Sequence, residues 1–340
     1  MPFVSVIVPV YNAERYVADA IKSIQMQSFE DWELILVDDC SLDGSLSICR
    51  EYAQRDSRIK VLQNGRNSGA ATSRNIGIAD ALGRYLSFID ADDTVESCFL
   101  EKLVATAEHF KADVVWCNYQ EYNMHNKTLR RCCHNLPVRV PLDKKFILSL
   151  FFVEPLGLGS MWNKLYRASF IKNQSIQINT KRARAEDWEF NLTVFTEIQN
   201  EGTVVAIDDC LYNYRRQTNS VMSNYREDDY LFIERSYNLL QDIADSYDID
   251  YNEVCYNGKI ACHYIEHLCS GIVSAESKCA KLRYKTNTEF AKKMQKRLNI
   301  ECLPTFYRLI HRLLQLRMYL LVVVIVLIKH RLHGNCKKVS

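Results

Sequence analysis

Phe3-Val-Ser-Val-Ile-Val-Pro-Val-Tyr-Asn12 is a nearly unbroken apolar run that stops on polar side chains. That pattern belongs to a strand buried on both faces of a parallel sheet. Val17, Ala20, Ile21 and Ile24 then recur at helical spacing, and Leu34 to Val37 reads as a second buried strand. Strand, helix and strand in this order make a βαβ unit. The alternation repeats with a helix from Asp43-Gly-Ser45 through Tyr52, a strand Ile59 to Leu62, a helix Ala70 to Leu82 and a strand Tyr85 to Ile89. An amphipathic helix carrying Phe99, Leu100, Leu103, Ala107 and Phe110 leads to a strand Val114 to Tyr119. Repeated β-α-β order predicts a doubly wound α/β sheet, in which ligands bind beyond the carboxyl ends of the strands. Tyr11-Asn12, Asp38-Asp39 and Asp90 to Asp93 all fall at such ends.

Beyond residue 120 the pattern loosens. Asn123 to Asn135 is polar without a period and is expected to be a loop or excursion. Lys144 to Phe152, Met161 to Tyr166 and a helix from about Asp187, with Trp188, Leu192 and Phe195 on its apolar face, restore order. Thr203 to Ile207 and Leu211 to Tyr214 read as two short strands, and after Tyr225 the chain reads as mostly helical, with Tyr230, Ile233, Tyr237 and Leu240 on one face. A domain boundary is placed near 220, giving 1–220 and a helical 221–340.

At 340 residues and 48% hydrophobic content the chain can bury a large core, and a net charge of +2 gives no global reason to expect nucleic-acid binding. Thirteen cysteines, an odd number without CxxC spacing, are scattered among apolar segments and read as reduced, mostly buried thiols. Residues 1–11 lack a basic n-region and a small-residue cleavage site, so the expected location is cytoplasmic.

Three clusters carry chemistry. Asp39 can accept hydrogen bonds from a uracil-like base edge with Tyr11 packing nearby, although Asp38-Asp39-Cys-Ser-Leu-Asp-Gly44 also fits a strand-to-helix turn with Asx capping. In Asp90-Ala-Asp92-Asp93, strand alternation puts Asp90 and Asp92 on one side and turns Asp93 outward. Oxygen-only ligands of this kind favour Mg²⁺ or Mn²⁺, the other reading being an acidic loop before the helix near Glu96. Asn67-Ser-Gly69 followed by Arg74 sets a glycine turn and a cation at a helix start, which suits a diphosphate or an ordinary turn with a surface Arg.

Together, Ser5 to Asn12, Val37-Asp-Asp39 with Asp43-Gly44, Asn67 to Asn75 and Phe88-Ile-Asp-Ala-Asp-Asp93 resemble family 2 glycosyltransferases, which are inverting enzymes of GT-A fold. The resemblance is specific to about residue 120 and thinner to about 220. It implies that 1–120 binds a nucleotide sugar, 121–220 faces the acceptor, and Pro9, Tyr11, Asn12, Glu14 and Asp39 line the nucleotide pocket. Asp90 and Asp92 would then face the donor, Asp92 and Asp93 the metal, and Arg74 the nucleotide. Ala185-Glu-Asp-Trp-Glu-Phe190 is similar to the family's Glu-Asp pair, so Asp187 is the implied catalytic base beside Glu186. Trp162-Asn-Lys-Leu-Tyr166 resembles a segment between donor and acceptor sites, which brings in Trp162, Asn163 and Lys164, while Gly157 and Gly159 permit close backbone approach. In Tyr212-Asn-Tyr-Arg-Arg216, Arg215 or Arg216 would reach the diphosphate.

The implied function is metal-dependent transfer of one sugar from a nucleotide diphosphate donor, UDP-linked, to a glycan or lipid-linked acceptor in surface polysaccharide synthesis. A nucleotidyltransferase and an inactive nucleotide-sugar-binding subunit are the alternatives. A dehydrogenase would need GxGxxG where the chain has Pro9-Val-Tyr-Asn-Ala-Glu14. A processive synthase would carry Gln-x-x-Arg-Trp and several membrane spans.

Two features lie outside this pattern. His263-Tyr-Ile-Glu-His267 has metal-ligand spacing, but boundary and core packing is the favoured reading. Met318 to Ile328 is the most apolar stretch, shorter than the roughly 20 residues of a span. With Arg308, Arg312, Arg317, Lys329, Arg331, Lys337 and Lys338 around it and no acidic residue after Glu301, segment 308–333 suits peripheral contact with an anionic membrane face or a buried helix.

Overall fold

The computed structural model describes residues 1–124, 127–134, 136–153, 159–181, 186–198, 203–216, 229–250, 260, 263, 265, 292 and 305–326. The chain divides into two compact units, one of Met1–Leu148 with Gly159–Ser220 and one of Ser149–Leu158 with Val221–Ser340.

In the first unit, β1 (Val4–Val10), β2 (Trp32–Asp38), β3 (Ile59–Gln63) and β4 (Tyr85–Phe88) run parallel in the order β3-β2-β1-β4. Their crossovers are α1 (Val17–Gln25), α2 (Ser45–Arg55) and α3 (Ala70–Asp80). Val6, Ile7, Val8, Leu34, Ile35 and Leu36 are fully buried, as a parallel strand covered on both faces requires. Beyond β4 come β5 (Thr94–Val95), α4 (Phe99–Phe110), β6 (Val114–Asn123), β7 (Thr128–Cys132), β8 (Pro141–Leu142) and α5 (Lys144–Val153), whose residues from Ser149 on are counted with the second unit. Then follow β9 (Lys164–Arg167), α6 (Ala168–Asn173), α7 (Glu186–Glu197) and β10 (Val204–Arg216).

This second half departs from the doubly wound expectation. The sheet continues β4-β9-β6-β10-β5, with β9 antiparallel to both neighbours. The connection from β4 to β6 leaves one position open between them, and β9 fills it from the opposite direction. The architecture is therefore a mixed α/β sheet, compatible with the GT-A fold that the resemblance implies. The segment Asn123 to Asn135 is not simply a loop, because β7 pairs antiparallel with the end of β6. Thr128 to Arg131 are exposed, so no apolar alternation marked that strand. The two short strands expected at 203–214 are one 13-residue strand whose register slips between Ala206 and Tyr212. That irregularity, carrying exposed Asp208, broke the pattern.

In the second unit, α8 (Asp229–Tyr247) buries Ile233, Tyr237 and Leu240. The expected partner on that face, the Tyr230 side chain, lies outside the described residues. A short amphipathic helix, α9 (Thr305–Gln315), buries Ile310, Leu313 and Leu314, and a further helical stretch covers 319–326. His267 and residues 327–340 lie outside the described residues, so the His263-His267 spacing has no structural description. Among the described residues no helix is long and apolar enough to cross a membrane.

Candidate active site

Register puts the polar strand ends side by side. Val10 pairs with Asp38 and Ile7 with Phe88, so Tyr11-Asn12, Asp39 and Asp90 leave the sheet at one edge. Tyr11 is exposed there, and Pro9 is half-buried in β1. Asn12 takes a left-handed backbone (φ 49°), a region Asn tolerates better than most residues. Its amide donates to Ser41 Oγ (3.1 Å) and its Oδ1 accepts from the Leu42 amide (2.8 Å). Glu14 Oε2 accepts from the Gly44 amide (2.9 Å). Asn12 and Glu14 thus clamp the turn after β2 to the turn after β1.

Asp39, only 2% exposed, is satisfied by three donors: Asn64 Nδ2 (2.7 Å) and the Ser68 amide (2.9 Å) on Oδ1, and the Gly69 amide (2.7 Å) on Oδ2. It ties the loop before α3 to the end of β2. Gly69 has φ +88°, where an L side chain is strained, so glycine permits that turn.

Arg74 does not point into solvent. It is 5% exposed and its guanidinium joins three carboxylates. Nη2 meets Asp90 Oδ1 at 2.8 Å, while Nη1 meets Asp187 Oδ1 at 3.0 Å and Glu186 Oε1 at 3.2 Å. The family resemblance placed this Arg toward the nucleotide; its fork is committed to the carboxylates that flank it. One buried cation among three carboxylates leaves excess negative charge. Asp187 is pushed up to about 7, first by burial and then by Glu186 and Asp90, against the opposing pull of Arg74 and the Met161 amide. A carboxylate with a proton affinity near neutrality has the property a general base needs.

The segment before β9 holds Asp187 from the other side. A Cβ on Gly159 would lie 2.7 Å from Trp188 Cβ and 2.8 Å from its Cα, so only glycine allows this approach to α7. Gly157 lies outside the described residues. Asn191 Nδ2 donates to Gly159 O (2.7 Å) and to Asp187 O (3.0 Å), fixing the two segments together.

Asp90-Ala-Asp92-Asp93 differs from the sequence expectation. β4 stops at Phe88, and the Asp93 amide donates to Asp90 O (3.1 Å), so the chain turns and alternation no longer applies. Asp93 faces inward, 1% exposed, and accepts from Tyr212 Oη (2.7 Å) and the Arg215 amide (2.7 Å). Tyr212 Oη also accepts from the Asp90 amide (3.1 Å). Burial, then the charges of Asp90 and Asp92, hold the Asp93 carboxyl well above the usual range. Among the described residues no group of three or more His, Cys, Asp and Glu side chains is arranged to hold a metal ion. The donor set still fits a hard divalent cation in kind: it is all oxygen, Asp92 is only half-buried, and the mutual repulsion is what such an ion relieves.

The remaining expected residues separate. Trp162 stacks on Tyr212 (4.3 Å between centroids, 24°) and on Tyr214 (5.7 Å, 16°). Asn163 and Lys164 are 3% and 0% exposed. Asn163 Nδ2 donates to Cys117 O (3.0 Å), and Lys164 Nζ donates to Ser160 O and Asn163 Oδ1 and sits 4.1 Å from the Trp116 ring centroid. Burial lowers Lys164 to about 7. These two brace the sheet. Arg215 reaches Asp19 Oδ2 (3.3 Å) over the Tyr16 ring, and exposed Arg216 lies 3.8 Å from Glu121. Sequence reasoning gave no role to Tyr212, Asn64 or Asn191, whose value depends on strand pairing and packing.

A family model described as glycosyl transferase family 2 matches residues 5–174. The uncharacterized glycosyltransferase EpsJ of Bacillus subtilis (strain 168) is 32% identical over 228 residues, 65% of this chain and 63% of the relative. TuaG of the same organism, named for teichuronic acid biosynthesis, is 31% identical over 224 residues, 66% of this chain and 82% of the relative. The crystal structure of S. aureus TarS 1-349 in complex with UDP-GlcNAc superposes with a TM-score of 0.63 at 20% identity, covering 97% of this chain and 92% of that one. The chain spans just under two thirds of the length of EpsJ.

Proposed function

The chain belongs to glycosyl transferase family 2, and from that premise we propose that it transfers a single sugar from a nucleotide diphosphate sugar to an acceptor hydroxyl. The observation that carries this reading is Asp187: a carboxylate with proton affinity near neutrality, held by Arg74 on the same sheet edge as the donor-side turns. In a single displacement, Asp187 takes the hydroxyl proton as the acceptor oxygen bonds to the anomeric carbon. The bond from that carbon to the diphosphate oxygen breaks, and configuration inverts. Tyr11, Asn12, Glu14 and Asp39 would shape the nucleotide pocket beside Pro9, with Asp90 and Arg74 behind the donor. Mg²⁺ or Mn²⁺, held through Asp92 with a remaining lone pair of Asp93, would offset charge on the departing diphosphate. The UDP-GlcNAc complex of TarS supports a UDP-linked donor, and the name of TuaG supports a surface-polysaccharide acceptor, glycan or lipid-linked.

A thermal-shift screen of nucleotide sugars with and without Mn²⁺, followed by turnover of wild type and Asp187→Asn, tests the proposal. A metal-dependent shift with one donor and loss of turnover in the variant is expected. Equal turnover removes Asp187 as base, and neither binding nor turnover by wild type overturns the enzyme reading.

For location, we propose cytoplasmic, peripheral contact with the anionic face of the cell membrane. All seven described cysteines are free thiols, which is consistent with a reducing compartment. Leu309, Leu316, Met318, Leu320, Leu321 and Val324 are exposed between 305 and 326, with exposed Arg312 and Arg317 and no acidic residue in that stretch. Apolar side chains flanked by cations match an anionic interface. Flotation with phosphatidylglycerol vesicles should succeed for wild type and fail for Leu316→Glu/Leu320→Glu; equal flotation of both overturns the assignment.

A further inference from the structure

The four-residue ion cluster has an internal asymmetry. Asp90 comes from the turn after β4, Glu186 and Asp187 open α7, and Arg74 on α3 is the group that joins them: Nη2 serves the first, Nη1 the other two. At 5% exposure the guanidinium is held in place and has little access to a solvent-borne ligand. Gly77, on the same helix, would drive a Cβ to 2.4 Å from Ile7 Cγ2, so α3 lies tight on β1 and presents Arg74 from a rigid base.

We propose that Arg74 is a positioning residue: its fork links the donor-side turn to the base pair of α7, orients the Asp187 carboxylate and keeps it ionisable in a buried site. This rests on Asp187 being the base. A planar fork with two nitrogens in fixed geometry can hold carboxylates on two sides at once, which an ammonium cannot do equally well. The groups facing Asp187 are Arg74 from α3, Asp90 from the turn after β4, Glu186 from α7 itself, and Lys164 and Tyr166 from β9. Arg74 is the nearest cation of the set, and Glu186 and Asp90 oppose it.

The proposal makes opposite predictions for two neighbours. Arg74→Gln should raise the Asp187 midpoint by about one pH unit or more, and Glu186→Gln should lower it. Arg74→Lys should fall between wild type and Arg74→Gln, because charge is kept and geometry lost. The measurement is a ¹³C-carboxyl NMR titration of aspartate-labelled protein, with the Asp187 resonance assigned by Asp187→Asn and folding checked by circular dichroism. It needs no donor, so it stands even where the transfer reaction fails. If Arg74→Gln does not fold, Arg74→Lys and Glu186→Gln still set the direction.

The enzymatic counterpart separates this role from the others. A positioning role moves the acid limb of the pH-rate profile upward in Arg74→Gln, with turnover partly recovered at high pH. A direct diphosphate contact raises donor KM and leaves the limb in place, and a purely structural role lowers kcat equally at every pH. Either of the last two, or an unmoved titration midpoint, overturns the proposal.

Discussion

The two halves of the strand-end site treat their carboxylates in opposite ways. Around Asp39, one carboxylate receives three neutral donors and fixes the loop 64–69 to β2. Around Arg74, three carboxylates share one cation, and burial, joined by the charges of Glu186 and Asp90, raises the proton affinity of Asp187. Burial and neighbouring carboxylates both disfavour the charged form of Asp187. The first arrangement fixes a loop, and the second is the one to which the proposed proton transfer is assigned.

The largest break in that contrast should come from Asp187→Asn. Turnover should fall by about 10²–10⁴-fold, the usual contribution of a general base, while donor binding measured by thermal shift stays close to wild type. Asp39→Asn should do the reverse. It removes one acceptor and the charge from the loop clamp, so donor KM should rise while the acid limb of the pH profile stays fixed. Tyr212→Phe tests the link between them at Asp93: it takes a donor from a carboxylate that is 1% exposed and an acceptor from the Asp90 amide. Urea unfolding should show a loss of about 1–3 kcal/mol.

A smaller effect concerns stability and pH. The Asp187 carboxyl binds its proton more tightly in the folded chain, near 7 against 3.8 in an unperturbed carboxyl. Its contribution is unfavourable to folding as pH rises from about 4, reaching its full extent above about 7. Asp187→Asn should therefore melt at a higher temperature than wild type at pH 8 and differ little at pH 4. A variant that melts lower at pH 8 would mean that the pairing with Arg74 outweighs burial.

Much of the first half was readable because parallel strands buried on both faces write continuous apolar runs, and β1 to β4 end within one residue of the expected positions. The second half was less so. β7 exposes nearly all its side chains and β10 slips register, so neither shows a clean period of two. The residue types of the site were legible at Asp39, Arg74, Asp90 and Asp187, but their partners were not. Arg74 and Asp187 are 113 positions apart, and only packing of α3 against β1 and of Gly159 against α7 brings them together. The inward turn of Asp93 departs from the strand pattern for a related reason. Alternation predicts a side chain's direction only while the strand lasts, and β4 had ended two residues before Asp90.

The most direct measurement is the pH dependence of kcat/KM for wild type with the donor that gives the largest thermal shift. An acid limb near 7, lost from the residual activity of Asp187→Asn, is expected from the carboxyl cluster. A limb in the ordinary carboxylate range, or the same limb in both proteins, would contradict Asp187 as the base that Arg74 holds.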